Sequence, residues 1–352
     1  MKISDLAKQS SGWLTQSGPE NDIVISSRVR LARNLAGYEF GSCLSTQRQT
    51  EILEKLRDSL LAVTVDSPLY YFDVDQASTL ERELLAERRL ISVQHARGKG
   101  PRGVVVAEGE TFTAMINEED HLRMQWYASG QQLAFCTERI EALDDILGRE
   151  LAYAFSSRFG FLTACPTNLG TGIRVSVMLH LPGLKLTEQI DKFLTAARDC
   201  DLAVRGLFGE GSEAVGDFFQ LSNQITLGLS EQELVDNLRH EILPKVVDYE
   251  RVARQKLIEE RPQLLDDKIQ RALGILRSAR LISSQEAMVL LSHLRLGVNM
   301  GRIDDISLDA VNDLFLKIQP AHLQVCAGKI LNPDQRDTFR AQIIRNNLGG
   351  AN

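Results

Sequence analysis

One stretch of the sequence, IRVSVMLHLPG from residue 173 onwards, limits the fold strongly because its side chains alternate in character. The apolar set on one side of the alternation is Ile173, Val175, Val177, Leu179 and Leu181. The set on the other side is Arg174, Ser176, Met178 and His180. Successive side chains of a strand point to opposite faces of a sheet, so the pattern predicts a strand with one buried and one polar face. Half-polar strands of this kind favour an antiparallel sheet, one face of which carries polar side chains that can bind or react with a ligand.

Other segments of the first 255 residues also predict strands and helices. DIVISSRVRLARN alternates in its middle, with its arginines on one side and Val29 and Leu31 on the other. VVVAEGETFTAMI predicts a hairpin that turns at Glu108–Glu110, and FFQLSNQITLG predicts a further strand. Residues 47–62 and 76–90 predict helices, and HARGKGPRG predicts a flexible basic loop. The predicted fold class is α+β, an antiparallel sheet flanked by helices.

The pattern becomes helical after residue 228. Ser230 and Glu233 have the spacing of a capping box, and Pro244 and Pro262 are expected to break or kink the helices in which they lie. Two later stripes have helical spacing; they consist of Leu265, Ile269, Leu273 and Leu276, and of Leu290, Leu291 and Leu294. Because this part differs from the rest, we expect a catalytic domain over residues 1–258 and an all-helical domain over residues 259–352.

Composition and charge argue against several classes of protein. The 352 residues carry a formal net charge of −7, which disfavours nucleic acid as a partner. No run of 18 apolar residues occurs, and the start, MKISDLAKQSSGWL, lacks the apolar stretch of a signal peptide. We therefore expect no membrane partner and a cytoplasmic location. The five cysteines are scattered without a C-x-x-C motif, which indicates neither a zinc site nor a disulfide framework.

Arginines beside small residues recur where a glycine-rich phosphate loop is missing. The sequence has no G-x-x-x-x-G-K-[ST] motif and no G-x-G-x-x-G between a strand and a helix. Guanidinium groups stay protonated and hold phosphates through bidentate hydrogen bonds, so several of them could offset the charge of a triphosphate. The alternative is that they are ordinary surface charges. The five arginines are Arg28, Arg30, Arg123, Arg174 and Arg205.

Two groups of carboxylates lie in the same segments as these arginines. Glu118, Glu119 and Asp120 form the first group, and Glu210 and Glu213 form the second. Paired carboxylates beside a phosphate site can orient and deprotonate a cationic acceptor. A solvated acidic turn is the other interpretation.

Four separated segments resemble, in order and spacing, the phosphagen (guanidino) kinases. They are SSRVRLARN, NEEDHLRMQ, CPTNLGTGIRVSV, and RGLFGEGSE followed by QLSNQITLGLSE, and they cover roughly residues 22–250. The protein-arginine-kinase branch is favoured because only about 25 residues precede SSRVR, where kinases of free arginine or creatine carry a helical domain, and because a helical extension comes after them. The resemblance implies a catalytic domain of the phosphagen kinase, glutamine-synthetase-like type.

The resemblance implies that ATP with Mg²⁺ lies on the polar face of the sheet. The five arginines would grip the phosphates and stabilise charge on the γ-phosphoryl group during transfer. Mg²⁺ would bridge phosphate oxygens with few protein ligands, so we expect no separate protein metal site. The matching nucleotide positions are Ser26, Ser27, Arg28, Val29, Arg30, Arg123, Arg174, Val175, Ser176, Val177, Met178, Arg205, Gly206, Leu207, Phe208 and Gly209.

The resemblance also implies the acceptor side of the site. Glu119 and Glu210 match the two carboxylates that hold the acceptor guanidinium and take its proton. Cys165 matches a cysteine near the acceptor, where a thiolate could aid orientation; a small buried thiol is the alternative. Arg89 stands where relatives have histidine, and it could meet a phosphate, stack on adenine or point to solvent. For His121 we expect a structural hydrogen-bonding role.

The segment RDTFRA near the end of the chain resembles the family's phosphoarginine-binding motif. Arg336 and Arg340 are four residues apart on a predicted helix, so they share a face, and Asp337 lies between them. The arginines could grip a phosphoryl group while the acid meets a guanidinium, and Ala341 ends the motif. A solvent-facing helix end is the alternative.

The function that the resemblance implies is ATP-dependent phosphorylation of arginine side chains in proteins. Its implied partners are unfolded protein substrates, a stress-gene repressor, a Clp-type unfoldase and protease, and an activating zinc-binding protein. The C-terminal helices would support a homodimer or higher oligomer. Two alternatives stay open: a kinase for a small free guanidino metabolite, and a non-catalytic adaptor that binds arginine-phosphorylated proteins.

Overall fold

Most strands of the first 260 residues form one antiparallel sheet. The computed structural model describes residues 1–14, 18–206 and 215–350. Within these residues the strands are β1 (Val24–Arg33), β2 (Leu69–Asp73), β3 (Gly103–Ala107), β4 (Phe112–Ile116), β5 (Leu122–Ser129), β6 (Phe155–Ser156), β7 (Gly160–Phe161), β8 (Ile173–His180), β9 (Leu202–Gly206) and β10 (Phe218–Asn223). Eight of them join in the order β2-β3-β4-β5-β1-β8-β10-β9, while β6 and β7 form a separate hairpin. Every pair of neighbours is antiparallel, as predicted.

Helices surround this sheet. In the first 260 residues they are α1 (Ile3–Leu6), α2 (Thr46–Ala62), α3 (Thr79–Glu87), α4 (Val93–Arg97), α5 (Leu133–Glu150), α6 (Pro182–Leu186), α7 (Ile190–Asp199), α8 (Glu231–Asp236) and α9 (Leu243–Glu260). Side chains that cap the first turn fix several of their starts: Ser78 forms a capping box with Glu81, and Ser230 forms the predicted one with Glu233. These caps satisfy backbone N–H groups that have no partner inside the helix.

One face of the sheet is apolar and forms the main core. Val29 of β1 and Val175 and Val177 of β8 are almost completely buried there, together with Leu56 of α2 and Ile140 of α5. Burial of such aliphatic side chains stabilises the fold by about 1.5–3 kcal/mol each. The alternation in IRVSVMLHLPG therefore predicted the buried face of the central strand correctly.

The last part of the chain is helical, as predicted. Its helices are α10 (Pro262–Ser278), α11 (Ser284–Asn299), α12 (Leu308–Lys317), α13 (Pro320–Ala327) and α14 (Pro333–Leu348). Pro262 occupies the first turn of α10, where a missing N–H costs nothing. Pro244 does not break its helix, because a π-helical turn over Asn237–Ile242 precedes it and α9 continues to Glu260. In the part of the chain that the structure describes, no helix is both long and apolar enough to cross a membrane.

The C-terminal helices pack against one end of the second sheet face. Met178 of β8 and Phe218 of β10 are buried in one cluster with Leu291 of α11 and Phe315 of α12. The helical part thus covers the end of the polar face that carries Met178 and His180. What remains open on this face is the middle, where the arginines lie.

A buried polar network joins the helical part to the sheet. Arg295 of α11 donates to Nδ1 of His180 at 2.9 Å and to the carbonyl oxygens of Asn21 and Asp22 at 2.6 and 2.9 Å. The His180 ring in turn contacts the Ser292 hydroxyl at 2.9 Å. Burial lowers the pKa of Arg295 to about 9. Since buried polar groups are costly without partners, this network fixes how the two parts meet.

Three local predictions have clear outcomes. The hairpin is confirmed, with a turn at Glu108–Glu110 between β3 and β4. The predicted strand FFQLSNQITLG is too long, because β10 ends at Asn223, whose side chain turns back to accept from the Val175 N–H at 2.8 Å. The prediction of a loop for HARGKGPRG is partly wrong, because its first residues belong to α4 and His95 is buried.

We predict that Arg295→Met lowers the free energy of unfolding by about 3 kcal/mol, because the buried acceptors at His180, Asn21 and Asp22 lose their donor. Arg271→Met on α10 is the matched control, since that side chain is 72% exposed, and we expect a change within about 0.5 kcal/mol. Urea unfolding followed by circular dichroism measures both. Equal losses in the two variants would contradict a structural role for the Arg295 network.

Candidate active site

The register of the central strands brings the five predicted arginines onto one face of the sheet. Arg30 of β1 lies opposite Arg174 of β8, and Arg28 lies opposite Tyr127 of β5, two positions along the same face. Arg123 of β5 and Arg205 of β9 lie on this face as well, because each is paired with a strand position that belongs to it. The alternative that these arginines are scattered surface charges is therefore wrong.

Most of these guanidinium groups are held by neighbouring side chains. Arg28 donates from Nε to the Ser176 hydroxyl at 3.1 Å, and Arg174 donates to the Ser222 hydroxyl at 3.0 Å. Arg123 forms an ion pair of 2.6 Å with Glu118. Such contacts fix the orientation of each planar group before any ligand arrives.

Arg30 differs from the others because its Nε is buried without a hydrogen-bond partner among the described residues. Burial lowers the pKa of the Arg30 guanidinium well below its ordinary value, and the charges of Arg123, Arg28 and Arg174 lower the pKa further. A buried donor and several like charges in one place are unfavourable without an anion. The arrangement fits a phosphate group.

Four of the five predicted arginines, all except Arg174, line a cleft with an empty volume of about 1130 Å³. Arg89 forms part of its wall: its backbone has φ of 64°, it donates to Gln220 Oε1 at 3.0 Å and it lies over the Trp13 ring at 5.6 Å. Burial lowers the pKa of Arg89 to about 10. Of the three possibilities for Arg89, the solvent-facing one is wrong.

Gln220 and Ser92 also line the cleft, and the sequence analysis did not predict them. The only signal for Gln220 was its place in a half-polar strand, and the only signal for Ser92 was its place as a helix cap.

Glu118 is the carboxylate that pairs with the arginine cluster. Its Oε2 accepts from Arg123, and its Oε1 accepts from the Ser92 hydroxyl at 2.6 Å. Burial alone raises the pKa of Glu118, but the Arg123 charge and these hydrogen bonds outweigh it, so the pKa is lowered. Glu118 therefore stays ionised and is committed to holding Arg123.

Glu119, the next residue, faces the other side of the turn and meets Cys165. Burial raises the pKa of Glu119, and the Asp120 charge adds to that rise. A hydrogen bond with the Cys165 side chain lowers the pKa in part, and the Cys165 sulfur also lies 3.0 Å from the Thr167 hydroxyl. Cys165 is half-exposed, so a small buried thiol is the wrong description of it. A half-buried carboxylate with a raised pKa is suited to accept a proton.

A buried hydrogen-bond network positions this pair. The Asp120 carboxylate accepts from the Asn34 amide and from the Ala164 N–H, both at 2.7 Å, so it joins the Glu119 turn to the Cys165 loop. His121 accepts from the Leu35 N–H at its Nδ1 at 3.0 Å, and its Nε2 lies 2.9 Å from the Glu39 carbonyl oxygen. The predicted structural role of His121 is confirmed.

The glycines of the Cys165 loop permit a close approach to β1. Gly172 has φ of +67°, and a Cβ there would lie 2.7 Å from the Ala32 carbonyl oxygen. Only glycine fits such a position without strain. The loop therefore enters β8 at Ile173, one residue before Arg174.

Several predicted nucleotide positions do not present side chains to the cleft. Ser27, Val29, Val175 and Val177 lie on the opposite face, the last three inside the main core. Met178 is packed against the C-terminal helices. Ser26 and Ser176 are on the arginine face and buried. Gly206 ends β9 beside Phe219.

Part of the predicted site lies outside the described residues. These positions are Leu207, Phe208, Gly209 and the second predicted catalytic acid, Glu210, together with Glu213. Arg205 is the last member of the cluster before them and lines the cleft. In the described ranges, no group of three or more His, Cys, Asp or Glu side chains is arranged to hold a metal ion.

The predicted phosphoarginine motif lies on α14, away from the cleft residues. Arg340 is 2% exposed; it donates to the carbonyl oxygens of Ile318 and Ile282 at 2.8 and 2.9 Å and pairs with Asp337 at 2.5 Å. Arg336 is half-buried and donates to the Leu331 carbonyl oxygen at 3.0 Å. Ala341 is buried. A helix end that simply faces solvent does not describe this segment.

Comparison with known sequences identifies relatives over nearly the whole chain. The family model described as "ATP:guanido phosphotransferase, C-terminal catalytic domain" matches residues 51–253, and the one described as "Protein-arginine kinase McsB C-terminal domain" matches residues 262–352. The chain is 43% identical to the protein-arginine kinase of Halothermothrix orenii, with 99% of each chain covered. It is 45% identical to the protein-arginine kinase of Pelotomaculum thermopropionicum, with 95% of each covered.

Solved structures of guanidino kinases resemble the fold. Lombricine kinase matches with a TM-score of 0.58 and 26% identity, over 70% of each chain. The duplicated taurocyamine kinase from Schistosoma mansoni, solved with bound components of a transition-state analogue, matches with a TM-score of 0.60 and 24% identity, over 79% of this chain and 44% of that one. The second similarity concerns the fold alone.

We predict that the carboxyl pKa of Glu119 lies above the usual value for glutamate and rises further in Cys165→Val. The thiol hydrogen bond stabilises the ionised carboxylate, so its removal favours the protonated form and raises the pKa. Titration of ¹³C-labelled glutamate by NMR, assigned with Glu119→Gln, measures this pKa. Cys200→Val, at an exposed cysteine that ends α7, is the control. A Glu119 pKa that is unchanged or lower in Cys165→Val would contradict the contact.

Proposed function

The chain belongs to the protein-arginine kinases of the ATP:guanido phosphotransferase family, and on that premise we propose that it transfers the γ-phosphoryl group of ATP to arginine side chains of proteins. The observation that carries the proposal is the arginine cluster, in which the buried Arg30 Nε has no partner among the described residues, next to the Glu119 turn and the Cys165 loop. The cluster suits the phosphates, and the turn suits a cationic acceptor.

On the nucleotide side, the arginines would act through charge that is already in place. Arg30 would donate its buried Nε–H to a phosphate oxygen, and Arg28 and Arg174 would flank it on the same sheet face. Donors that are oriented before reaction stabilise developing charge without reorganising. Mg²⁺, when bound with ATP, would offset phosphate charge. Glu118 lines the cleft but is engaged by Arg123, so the phosphates rather than this carboxylate would hold the ion.

On the acceptor side, Glu119 would orient the guanidinium and take its proton. The pKa of an arginine side chain is above ~12, so one of its nitrogens attacks phosphorus only if a base removes a proton as the bond forms. The raised pKa of Glu119 makes its carboxylate a stronger base. Glu210 would be the second carboxylate, and the Cys165 thiol would keep the Glu119 carboxylate in place.

A second candidate is a kinase for a small free guanidine, which the similarity to lombricine kinase favours. A third, non-catalytic binding of arginine-phosphorylated proteins, is disfavoured by the intact cluster. One experiment separates the three: the purified chain is incubated with ATP, Mg²⁺ and either free arginine or an unfolded protein. Acid-labile phosphate on the protein supports the proposal, on free arginine alone it supports the second candidate, and its absence from both supports the third.

The wider role that we propose comes from the family. Phosphorylated proteins, among them a stress-gene repressor, would pass to a Clp-type unfoldase and protease, and a zinc-binding protein would activate the kinase in the cytoplasm. The C-terminal helices would mediate a homodimer or higher oligomer. In the same helices, Arg336, Asp337 and Arg340 would bind phosphoarginine, with Asp337 meeting its guanidinium.

We predict that Glu119→Gln lowers the turnover number at least ~100-fold while nucleotide binding is retained, because the amide keeps the shape of the side chain but cannot take a proton. Isothermal titration with ATP and Mg²⁺ and a phosphate-transfer assay measure the two effects. Glu138→Gln on the exposed side of α5 is the control, with an expected change below twofold. Near-normal turnover in Glu119→Gln would remove the proposed role.

We predict that Arg336→Ala weakens phosphoarginine binding about 10-fold without lowering the unfolding temperature, since Arg336 is only half-buried. Arg340 is less suited to the test because it is buried and bound to two backbone carbonyls, so its removal would destabilise the helices. Competition by phosphoarginine against a labelled phosphoarginine peptide measures the affinity. Arg271→Ala is the control, and equal affinity in both variants would contradict the proposed site.

A further inference from the structure

A shallow groove bordered by exposed apolar side chains and several polar residues adjoins the Cys165 loop. It has an empty volume of about 660 Å³ and lies between the β6–β7 hairpin and residues 224–229. In the hairpin, Phe155 and Phe159 are 60% and 41% exposed. In the second segment Thr226 is buried, and three aliphatic side chains near it are exposed: Ile225, Leu227 and Leu229.

Four of these five side chains, all except Ile225, line the same groove. Scattered apolar residues are normal on a protein surface, but contiguous apolar patches mark sites of interaction. Two short segments supply five of the seventeen large apolar side chains that the described residues expose. Arg158 and Glu231 line the same groove with opposite charges, so its electrostatics favour neither sign of ligand.

The groove is built from the same backbone as the acceptor side of the site. The Thr226 hydroxyl lies 3.0 and 2.9 Å from the carbonyl oxygens of Thr167 and Leu169, in the loop that begins with Cys165. Gly170, in that loop, exchanges backbone hydrogen bonds of 2.7 and 3.3 Å with Phe161 of β7. Three chain segments therefore meet at the groove, and one of them carries the cysteine that contacts Glu119.

Two glycines make this junction possible. Gly160 has φ of +73°, and a Cβ there would lie 2.5 Å from the Gly170 carbonyl oxygen. Gly170 has φ of +108°, and its Cβ would lie 3.3 Å from the Thr226 carbonyl oxygen. Larger residues would push the hairpin and residues 224–229 away from the Cys165 loop. The groove is thus held next to the acceptor side by backbone contacts.

From this continuity we propose that the groove binds the polypeptide on either side of the acceptor arginine, through leucine or phenylalanine side chains within a few residues of it. The inference rests on the proposed function and specifies its substrate class. A protein-bound arginine brings its own main chain to the site, and each extended residue spans about 3.3 Å, so neighbouring side chains reach the groove. The matching segment is extended and apolar.

This chemistry selects unfolded substrates. In folded proteins leucine and phenylalanine are mostly buried, so they rarely lie exposed and extended beside an arginine. In an unfolded chain such segments are accessible. The groove would then lower KM for unfolded proteins without taking part in phosphoryl transfer.

The test compares two peptides of equal length and charge, each with one arginine, flanked in one by leucine and phenylalanine and in the other by serine. In the wild type we expect KM about 10-fold lower for the apolar peptide, the effect of burying one or two such side chains. The double variant Phe159→Ser/Leu227→Ser should lose this preference because its KM for the apolar peptide rises about 10-fold. Turnover number and the serine peptide's KM should stay within about twofold.

Phe135→Ser on α5 is the matched control, since Phe135 is 43% exposed and outside the groove. Fluorescence anisotropy of the labelled apolar peptide gives a readout without catalysis. Tight binding that the double variant weakens, without transfer by the wild type, would refute the proposed function and leave the groove standing. The groove assignment is overturned if the double variant keeps the preference, if both KM values rise equally, or if the variant changes only self-association in light scattering.

Discussion

The structure depends on a concentration of positive charge that the described residues neutralise only in part. Arg28, Arg30, Arg123 and Arg174 lie on neighbouring strands of one sheet face, where like charges repel. Arg123 is paired with Glu118, but Arg30 keeps a buried donor without a partner in the described residues. The opposite face supplies the burial that holds the strands in register despite this repulsion. Burial, and then the charges of Arg123, Arg28 and Arg174, lower the pKa of Arg30, and a bound phosphate would offset both effects.

The two sides of the site are built differently, and this suits their tasks. The arginine side projects from strands whose spacing is fixed by backbone hydrogen bonds, so its charges are preorganised. The acceptor side consists of turns joined by single polar residues, above all Asp120, which ties the Glu119 turn to the Cys165 loop. A side built on strands suits a ligand whose shape is constant, such as the proposed nucleotide phosphates. A loop-borne side leaves the surface beyond Cys165 open, where the groove begins.

Alternation along β1 and β8 was enough to predict the sheet and the shared face of Arg28, Arg30 and Arg174. The same alternation already placed Val29, Val175 and Val177 on the buried face. Matching whole segments to a family therefore predicted more cleft-lining side chains than the structure has. Other features depend on tertiary contacts. Nothing local tells which of Glu118 and Glu119 pairs with Arg123, or that Arg89 adopts positive φ and turns inward. The burial of Met178 was equally hidden, because distant helices cover that end of the face.

The helical part contacts the segment that precedes Arg89 of the cleft wall, as well as covering one end of the sheet face. Glu87, at the end of α3, accepts from the N–H groups of Ala321 and His322 at 2.8 and 3.0 Å, the first turn of α13. Arg88 pairs with Glu110 at 2.5 Å and contacts the His322 ring at 3.2 Å, both in the interior. The next residue is Arg89, which lines the cleft. Removing α13 would expose the buried Arg88–Glu110 ion pair, and Arg88 directly precedes Arg89 of the cleft wall. The C-terminal helices therefore support the segment that places Arg89 in the cleft wall.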